Sequence, residues 1–267
     1  MRRVIAAVIT AAVVAAGVVA VRRGAVPEPG GVRWPLAIAA AGLAVIANNV
    51  ICGLRWRLFL TDGRSRWDAV RTYSEAAFVS TFVPFGSEAY RSWGNRHALD
   101  AVVTDRILSG LAIAGAAAAG AVAVPWSPPI SAAVLLGAAA VWFVLRRRLV
   151  ADRVAVTLRR LVGAMMMSVL YILVSAVVFL LLFHGAGVPI GVADALAVTP
   201  AVLLGAAVPS ISGVGPGLVV LSVFASSRGA DPSRTATIIA LLLGAQLLLG
   251  ALGGALLVGR RVAERPS

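Results

Sequence analysis

Two apolar stretches, one in each half of the chain, are broken near their middles by proline and glycine. The first runs from Ala76-Ala77-Phe78 to Pro84-Phe85-Gly86-Ser87-Glu88-Ala89-Tyr90-Arg91. The second runs from Val192 through Pro209-Ser210-Ile211-Ser212-Gly213-Val214-Gly215-Pro216-Gly217 to Phe224. Neither reads as a continuous spanning helix. Backbone released from a helix cannot face lipid and is tolerated only where it is buried in protein or lines a cavity. Matched interruptions in two halves of a membrane chain point to a transporter's substrate site. Pro84, Gly86, Pro209, Gly213 and Gly215 are therefore expected to shape two re-entrant hairpins.

The surroundings of these stretches are those of a polytopic helical membrane protein: 60% hydrophobic residues, 13% charged residues and a mean hydropathy of +0.94. The 267 residues form a single integral membrane domain with no room for an added soluble enzyme. The net charge of +13 raises the question of nucleic acid. However, every basic residue is arginine, and the arginines cluster between apolar runs, which is the pattern of positive-inside topology. No nucleic-acid partner is expected. The preference for arginine also matches the Ala-, Gly- and Val-rich make-up of a GC-rich bacterial coding sequence.

Apolar runs predict six spans near residues 4–21, 34–53, 107–124, 130–145, 163–184 and 235–258, with Trp34, Trp56, Trp126 and Trp142 at their ends in the headgroup layer. The first run is longer than a signal-peptide core and reads as a retained span. With both termini cytoplasmic, 19 arginines fall inside and five outside, namely Arg22, Arg23, Arg33, Arg228 and Arg234. That bias requires each broken stretch to enter and leave on one side, as hairpins near 68–91 and 192–226. Two units then result, about 34–124 and 163–258, each a span, a hairpin and a span, in opposite orientation. The predicted fold is all-α, with six spans and two re-entrant hairpins in an inverted repeat, in the cell inner membrane.

Ionisable groups at membrane depth are costly, so they face a cavity or pair with each other. Glu75, Glu88 and Arg91, with Arg71, lie on the first hairpin, and Asp105-Arg106 open the span that follows. Glu88 and Arg91, three apart, share a helix face. They either receive a polar headgroup at a charged entrance or form an internal pair that holds the hairpin closed. Arg55, with Arg57, either binds anionic lipid or anchors the span end. Asp105 and Arg106 read as a structural ion pair. Asn48 and Asn49 bond across helices or line a polar path. The glycines of the second hairpin either cradle a phosphate with exposed amides or allow a buried reversal. Gly250 and Gly254 form a small-residue packing pattern in the last span, and Gly110, Gly115 and Gly120 thin the third.

Catalysis finds no support in the sequence. His97 and His184 belong to segments on opposite faces, and no serine has a base at a recognisable spacing. There is no metal-ligand pattern and no P-loop, so neither a cofactor nor ATP hydrolysis is expected. Cys52 is the single cysteine.

The chain resembles the transmembrane, flippase-like region of lysylphosphatidylglycerol synthases and its stand-alone relatives. The resemblance covers most of the chain. It rests on Asn49-Val50-Ile51-Cys52-Gly53-Leu54-Arg55-Trp56, on Phe82–Arg91, on Ala101-Val102-Val103-Thr104-Asp105-Arg106-Ile107-Leu108 and on the Pro209–Gly215 turn. It implies translocation of a polar lipid between leaflets, an anionic or aminoacylated phospholipid or a lipid-linked glycan, with Glu88, Arg91, Arg55 and Glu75 at the headgroup. The separate synthase domain of the larger relatives is absent. The family's glutamate beyond the glycine turn is replaced here by Leu218, and Gln246 is the nearest polar residue to its arginine in the last span. The alternative function is a non-transporting scaffold for an enzyme that makes or modifies envelope lipids or glycans. The expected partners are membrane lipids, such an enzyme, and further copies of the chain.

Overall fold

The computed structural model describes residues 31–60, 63–81, 86–92, 96–123, 131–132, 134–140, 142–143, 157–206 and 215–263. Among the described residues the chain is helical, with no strand. The predicted span at 4–21, together with Pro84, Trp126, Pro209 and Gly213, lies outside the described residues.

Four helices are long and apolar enough to cross a membrane: α1 (Trp34–Arg57), the Leu99–Ala123 part of α4 (Arg96–Ala123), α5 (Leu158–Gly185) and the Pro232–Gly259 part of α8 (Pro232–Ala263). Their outward faces carry Ile38, Met166, Leu173, Leu248 and Leu252 exposed, as lipid contact requires. The protein is a multi-pass helical membrane protein. Shorter helices fill the intervals: α2 (Arg66–Ser80) with α3 (Gly86–Ser92), and α6 (Val192–Ala206) with α7 (Gly215–Ser227). Between α4 and α5, residues 134–140 are helical, and Val134 and Ala138 pack against Ala114, Ala117 and Ala121.

Local chemistry explains the boundaries. Ser65 caps α2 by accepting the Asp68 N–H at 3.1 Å, and its hydroxyl donates to the Asp68 carboxylate at 2.7 Å. That bond holds the exposed Asp68 carboxyl below its ordinary value. A lowered folded value means the contribution is present at neutral pH and is lost as the pH falls through it. Asp231 accepts the Arg234 N–H at the start of α8, next to Pro232 in the first turn. Helices α5 and α7 end on Gly187 (φ 73°) and Gly229 (φ 77°), left-handed residues that let Val188 and Ala230 bond back to Phe183 and Ala225.

Contacts fix the directions. The Arg33 N–H reaches the Gly185 carbonyl, so α1 and α5 are antiparallel. Helices α2 and α3 pair antiparallel, with Gly86 against Val79 and Tyr90 against Glu75. Helices α6 and α7 do the same, with Gly217 against Val202 and Asp194 bonded to Arg228. The open end of the α2–α3 pair lies beside Arg55 and the start of α4, whereas that of the α6–α7 pair lies at the opposite end of the molecule, beside the starts of α1 and α8. The other described ends of the two pairs, at Thr81 and at Ala206 and Gly217, border one cavity.

Packing between the halves is reciprocal. Helix α2 lies along α8, and α6 lies along α4. Helix α1 packs on α2 as α5 packs on α6, and α3 meets α4 as α7 meets α8. Glycines allow the closest approaches. A Cβ on Gly253 would overlap the Ser74 carbonyl oxygen, and one on Gly120 would stand 2.9 Å from the Ala197 Cα. Gly250 and Gly254, the pattern read from the sequence, face Thr81 and Phe78 in the same α8–α2 contact, whereas Gly115 faces open space.

The structure corrects two sequence expectations. The third span starts well before residue 107, so that Asp105 and Arg106 sit inside α4 instead of opening it. A charge can lie there because partners from α1 and α3 meet it. Trp56 is not a headgroup anchor, because it is fully buried against the Arg91 guanidinium; Trp34 and Trp142 are half exposed.

The backbone contact at Gly253 makes a direct prediction. Gly253→Ala should destabilise the protein by about 1–3 kcal/mol through overpacking, read as a lower melting temperature of the purified protein in detergent. Gly244→Ala, where a Cβ meets nothing within 4 Å, should leave melting unchanged or raise it.

Candidate functional site

Two features stand out: a buried charge cluster at one end, and a cavity between the tips of the two helix pairs. The cluster is built on Asp105 of α4, which is fully buried. Its Oδ1 accepts from Arg55 Nε of α1 at 2.7 Å, and its Oδ2 accepts from Arg91 Nη1 of α3 at 3.1 Å. Arg55 also donates to Ser168 Oγ of α5 at 3.3 Å. One carboxylate thereby ties three helices together, and Arg55 extends the link to a fourth, α5. The Arg91 guanidinium lies over the Tyr73 ring at 4.7 Å and the Trp56 ring at 5.4 Å. Contacts of this kind are worth about 2 kcal/mol or more when desolvated. They cover a group whose Nε and Nη2 have no hydrogen-bond partner among the described residues.

The other charges pair around this centre. Glu75, also fully buried, accepts from Arg71 at 3.2 Å and from the Tyr90 hydroxyl at 2.8 Å. Glu88 pairs with Arg106 in a partly exposed position. The i,i+3 spacing of Glu88 and Arg91 does not bring them together as partners, because Arg91 turns into the core toward Asp105 and Glu88 turns outward toward Arg106. Asp105 and Arg106, read together from the sequence, likewise bond to different groups.

The cavity has a volume of about 410 Å³. Ser80 and Thr81 at the end of α2 and Ala206 and Gly217 of the α6–α7 pair border it, with walls from α1, α5 and α8. Asn48, Tyr171, Ser175 and Gln246 supply the polar wall groups, and Val178, Phe179 and Leu249 are among the apolar ones. Asn48 belongs to a π-helical segment of α1, Ile46–Ile51. The wider turn suits two consecutive asparagines, with Asn48 at the cavity and Asn49 buried in protein. None of Arg55, Glu75, Glu88, Arg91, Asp105 or Arg106 lines this space. Gly86 sits at the start of α3 against the Val79 carbonyl, and Gly215 begins α7.

Comparison with protein-family models, with curated proteins and with solved structures finds no match. The chemistry of the site therefore rests on its own geometry. The cavity can bind by shape and neutral hydrogen bonds, whereas the charge cluster is internally bonded and fixes α1, α3 and α4. Reading charges first misses the cavity side chains Ser80, Thr81, Tyr171 and Ser175. A signal for α5 was present, because Ser168, Tyr171 and Ser175 recur at helical spacing in an otherwise apolar span. Among the described residues no group of His, Cys, Asp and Glu is arranged to hold a metal.

Removing the shared carboxylate tests the cluster. Asp105→Asn should destabilise the protein by about 3–5 kcal/mol, the usual result of leaving a buried charge without its partner. Glu88→Gln, which touches only a partly exposed pair, should cost under about 1 kcal/mol. Melting of the two variants in detergent checks this order.

Proposed function

We propose that the protein moves a polar lipid between the leaflets of the bilayer, its headgroup passing through the cavity while its acyl chains stay in lipid. The observation that carries this reading is the position of the cavity, bordered by the inward tips of two helix pairs that open at opposite ends of the molecule. Helices α2, α6 and α7, at 15, 15 and 13 residues, extend about 20–22 Å at 1.5 Å per residue. That is short of a hydrocarbon core of about 30 Å. Each pair then enters and leaves on one side, as a re-entrant hairpin. The reciprocal packing of the two halves supports an inverted repeat of units 34–124 and 163–258, with six spans when the runs at 4–21 and 130–145 are counted. The sequence resemblance to the flippase-like region of lysylphosphatidylglycerol synthases agrees with this role, and the proposal places the protein in the inner membrane with both termini cytoplasmic.

In this reading Arg55, Arg91 and Asp105 hold the first hairpin rigid against α4. Glu88 and Arg106, at the partly exposed rim of the same end, meet the headgroup on its way in. A cavity with equal affinity from both sides equilibrates the leaflets without net transport; a bias needs a gradient or another energy source.

Two measurements test the proposal. Ser65 and Ser233 are exposed near the two opposite ends. Cysteines introduced there in a Cys52→Ser background should label from opposite sides of sealed vesicles; labelling of both from one side would overturn the inverted topology. In proteoliposomes, fluorescent polar lipids should exchange between leaflets faster than in empty vesicles, and Ser175→Phe, which fills the cavity, should return the rate to that of empty vesicles. Folded protein that moves no lipid yet co-purifies with an envelope glycosyltransferase or lipid synthase would favour the scaffold role instead.

A further inference from the structure

The headgroup class can be read from the cavity wall, an inference that rests on the translocation reading for its route but not for its binding test. The polar groups on the wall are two carboxamides, Asn48 and Gln246, and four hydroxyls, those of Ser80, Thr81, Tyr171 and Ser175. Not one of the lining residues is Asp, Glu, Arg or His. The segments joining the helix pairs at their tips, 82–85 and 207–214, contain no ionisable residue in sequence either.

The charged residues of the described helices lie away from this wall, and most of those nearest the two helix pairs are ion-paired. Arg55 and Arg91 share Asp105, Arg71 holds Glu75, and Arg106 holds Glu88; at the other end Arg228 holds Asp194 and Arg234 holds Asp231. A headgroup with net charge entering the cavity would lose hydration and meet no opposite charge on the wall itself, a costly kind of burial. An uncharged headgroup rich in hydroxyls would lose hydration too, but would regain its bonds from the wall.

The wall suits hydroxyls in kind as well as in charge. Among the described residues, Asn48, Tyr171, Ser175 and Gln246 have no hydrogen-bond partner, so their groups are available to a ligand. Each carboxamide both donates and accepts, as does each hydroxyl. Ser80 and Thr81 donate to the Ala77 carbonyl at 2.8 and 3.0 Å, which leaves their oxygens free to accept. Such a mixed set matches a sugar, whose hydroxyls also do both. A phosphate or carboxylate only accepts, and an ammonium only donates. The volume of about 410 Å³ lies within the usual range of small-ligand sites.

We propose that the cavity takes an uncharged polyhydroxylated headgroup, as in a glycosyl-diacylglycerol, in preference to an anionic or cationic phospholipid. Gln246 of α8, Asn48 of α1 and Tyr171 and Ser175 of α5 supply its hydrogen-bond partners.

The test uses the full chain and three probes: glucosyl-diacylglycerol, phosphatidylglycerol and lysyl-phosphatidylglycerol. Binding is read by native mass spectrometry in detergent, and translocation by headgroup accessibility in proteoliposomes. The expected result is that the glucosyl lipid binds at lower concentration than either charged lipid and moves faster. Asn48→Leu and Gln246→Leu should each weaken its binding about tenfold, the loss of one unreplaced hydrogen bond, with melting unchanged. Gln246→Glu should shift preference toward the lysyl lipid by placing a carboxylate in the wall, a readout that a folding defect would not produce. Equal or tighter binding of a charged lipid by wild type would overturn the headgroup assignment and leave translocation standing. Glucosyl-lipid binding without movement would overturn translocation and support the site. No binding and no movement by melted-and-verified folded protein would overturn both.

Discussion

Two guanidinium groups reach Asp105 from different helices, and the first half of the molecule is organised around that meeting. Arg55 comes from α1, Arg91 from the returning arm of the first helix pair, and Asp105 itself from α4. Two cations and one anion attract one another overall, but removing them from water in an apolar setting costs more than that attraction returns. The aromatic faces of Tyr73 and Trp56 offset this by enclosing the second guanidinium, and Ser168 extends the contact to α5. With the base of the pair held in this way, Ser80 and Thr81 at its inner end are carried to the cavity edge. Among the described residues, the second half has instead the partly exposed Asp194–Arg228 pair, with Arg228 over the Phe224 ring. It is held by an apolar core in which Phe183 and Phe224 meet edge to face at 5.6 Å, with Leu221, Val198 and Ile238 buried around them.

The same broad architecture is thus reached with different chemistry in each half. That difference explains why hydropathy and breaker placement suggest two similar halves while residue identity does not. Packing geometry is reciprocal, with α2 on α8 and α6 on α4, but one half centres on a buried charge cluster and the other on an apolar core of aliphatic and phenyl groups. A membrane interior selects for matched shape and for satisfied polar groups, and several residue sets meet those two conditions.

Helix type, four long apolar helices and the two interrupted stretches were legible in the sequence because each leaves a strong local pattern. The partners of the charges were not. Spacing places Glu88 beside Arg91 on one helix face, but three-dimensional contacts decided otherwise, sending Arg91 inward to a residue 14 positions away and Glu88 to Arg106. Trp56 shows the same limit: its place near a span end suggests the headgroup layer, and a buried cation on another helix claimed it. The glycine with the tightest neighbour, Gly253, sits one residue away from the GxxxG pattern and has no sequence signal of its own. The cavity was hardest to see, because its polar groups are single Asn, Gln, Ser, Thr and Tyr residues spread over four helices, each ordinary where it stands.

The contact of Gly253 with Ser74 joins segments about 180 residues apart in the chain. At about 5–20 residues per second of synthesis, helix α2 waits on the order of ten to forty seconds before α8 exists to cover it. During that interval a helix bearing Arg71, Glu75 and a face of small residues stands in the membrane without its long partner. Helix α6, by contrast, finds α4 already in place as it emerges. The first half is thus the one whose long packing partner comes last in the chain, and the last helix is the closing step of assembly.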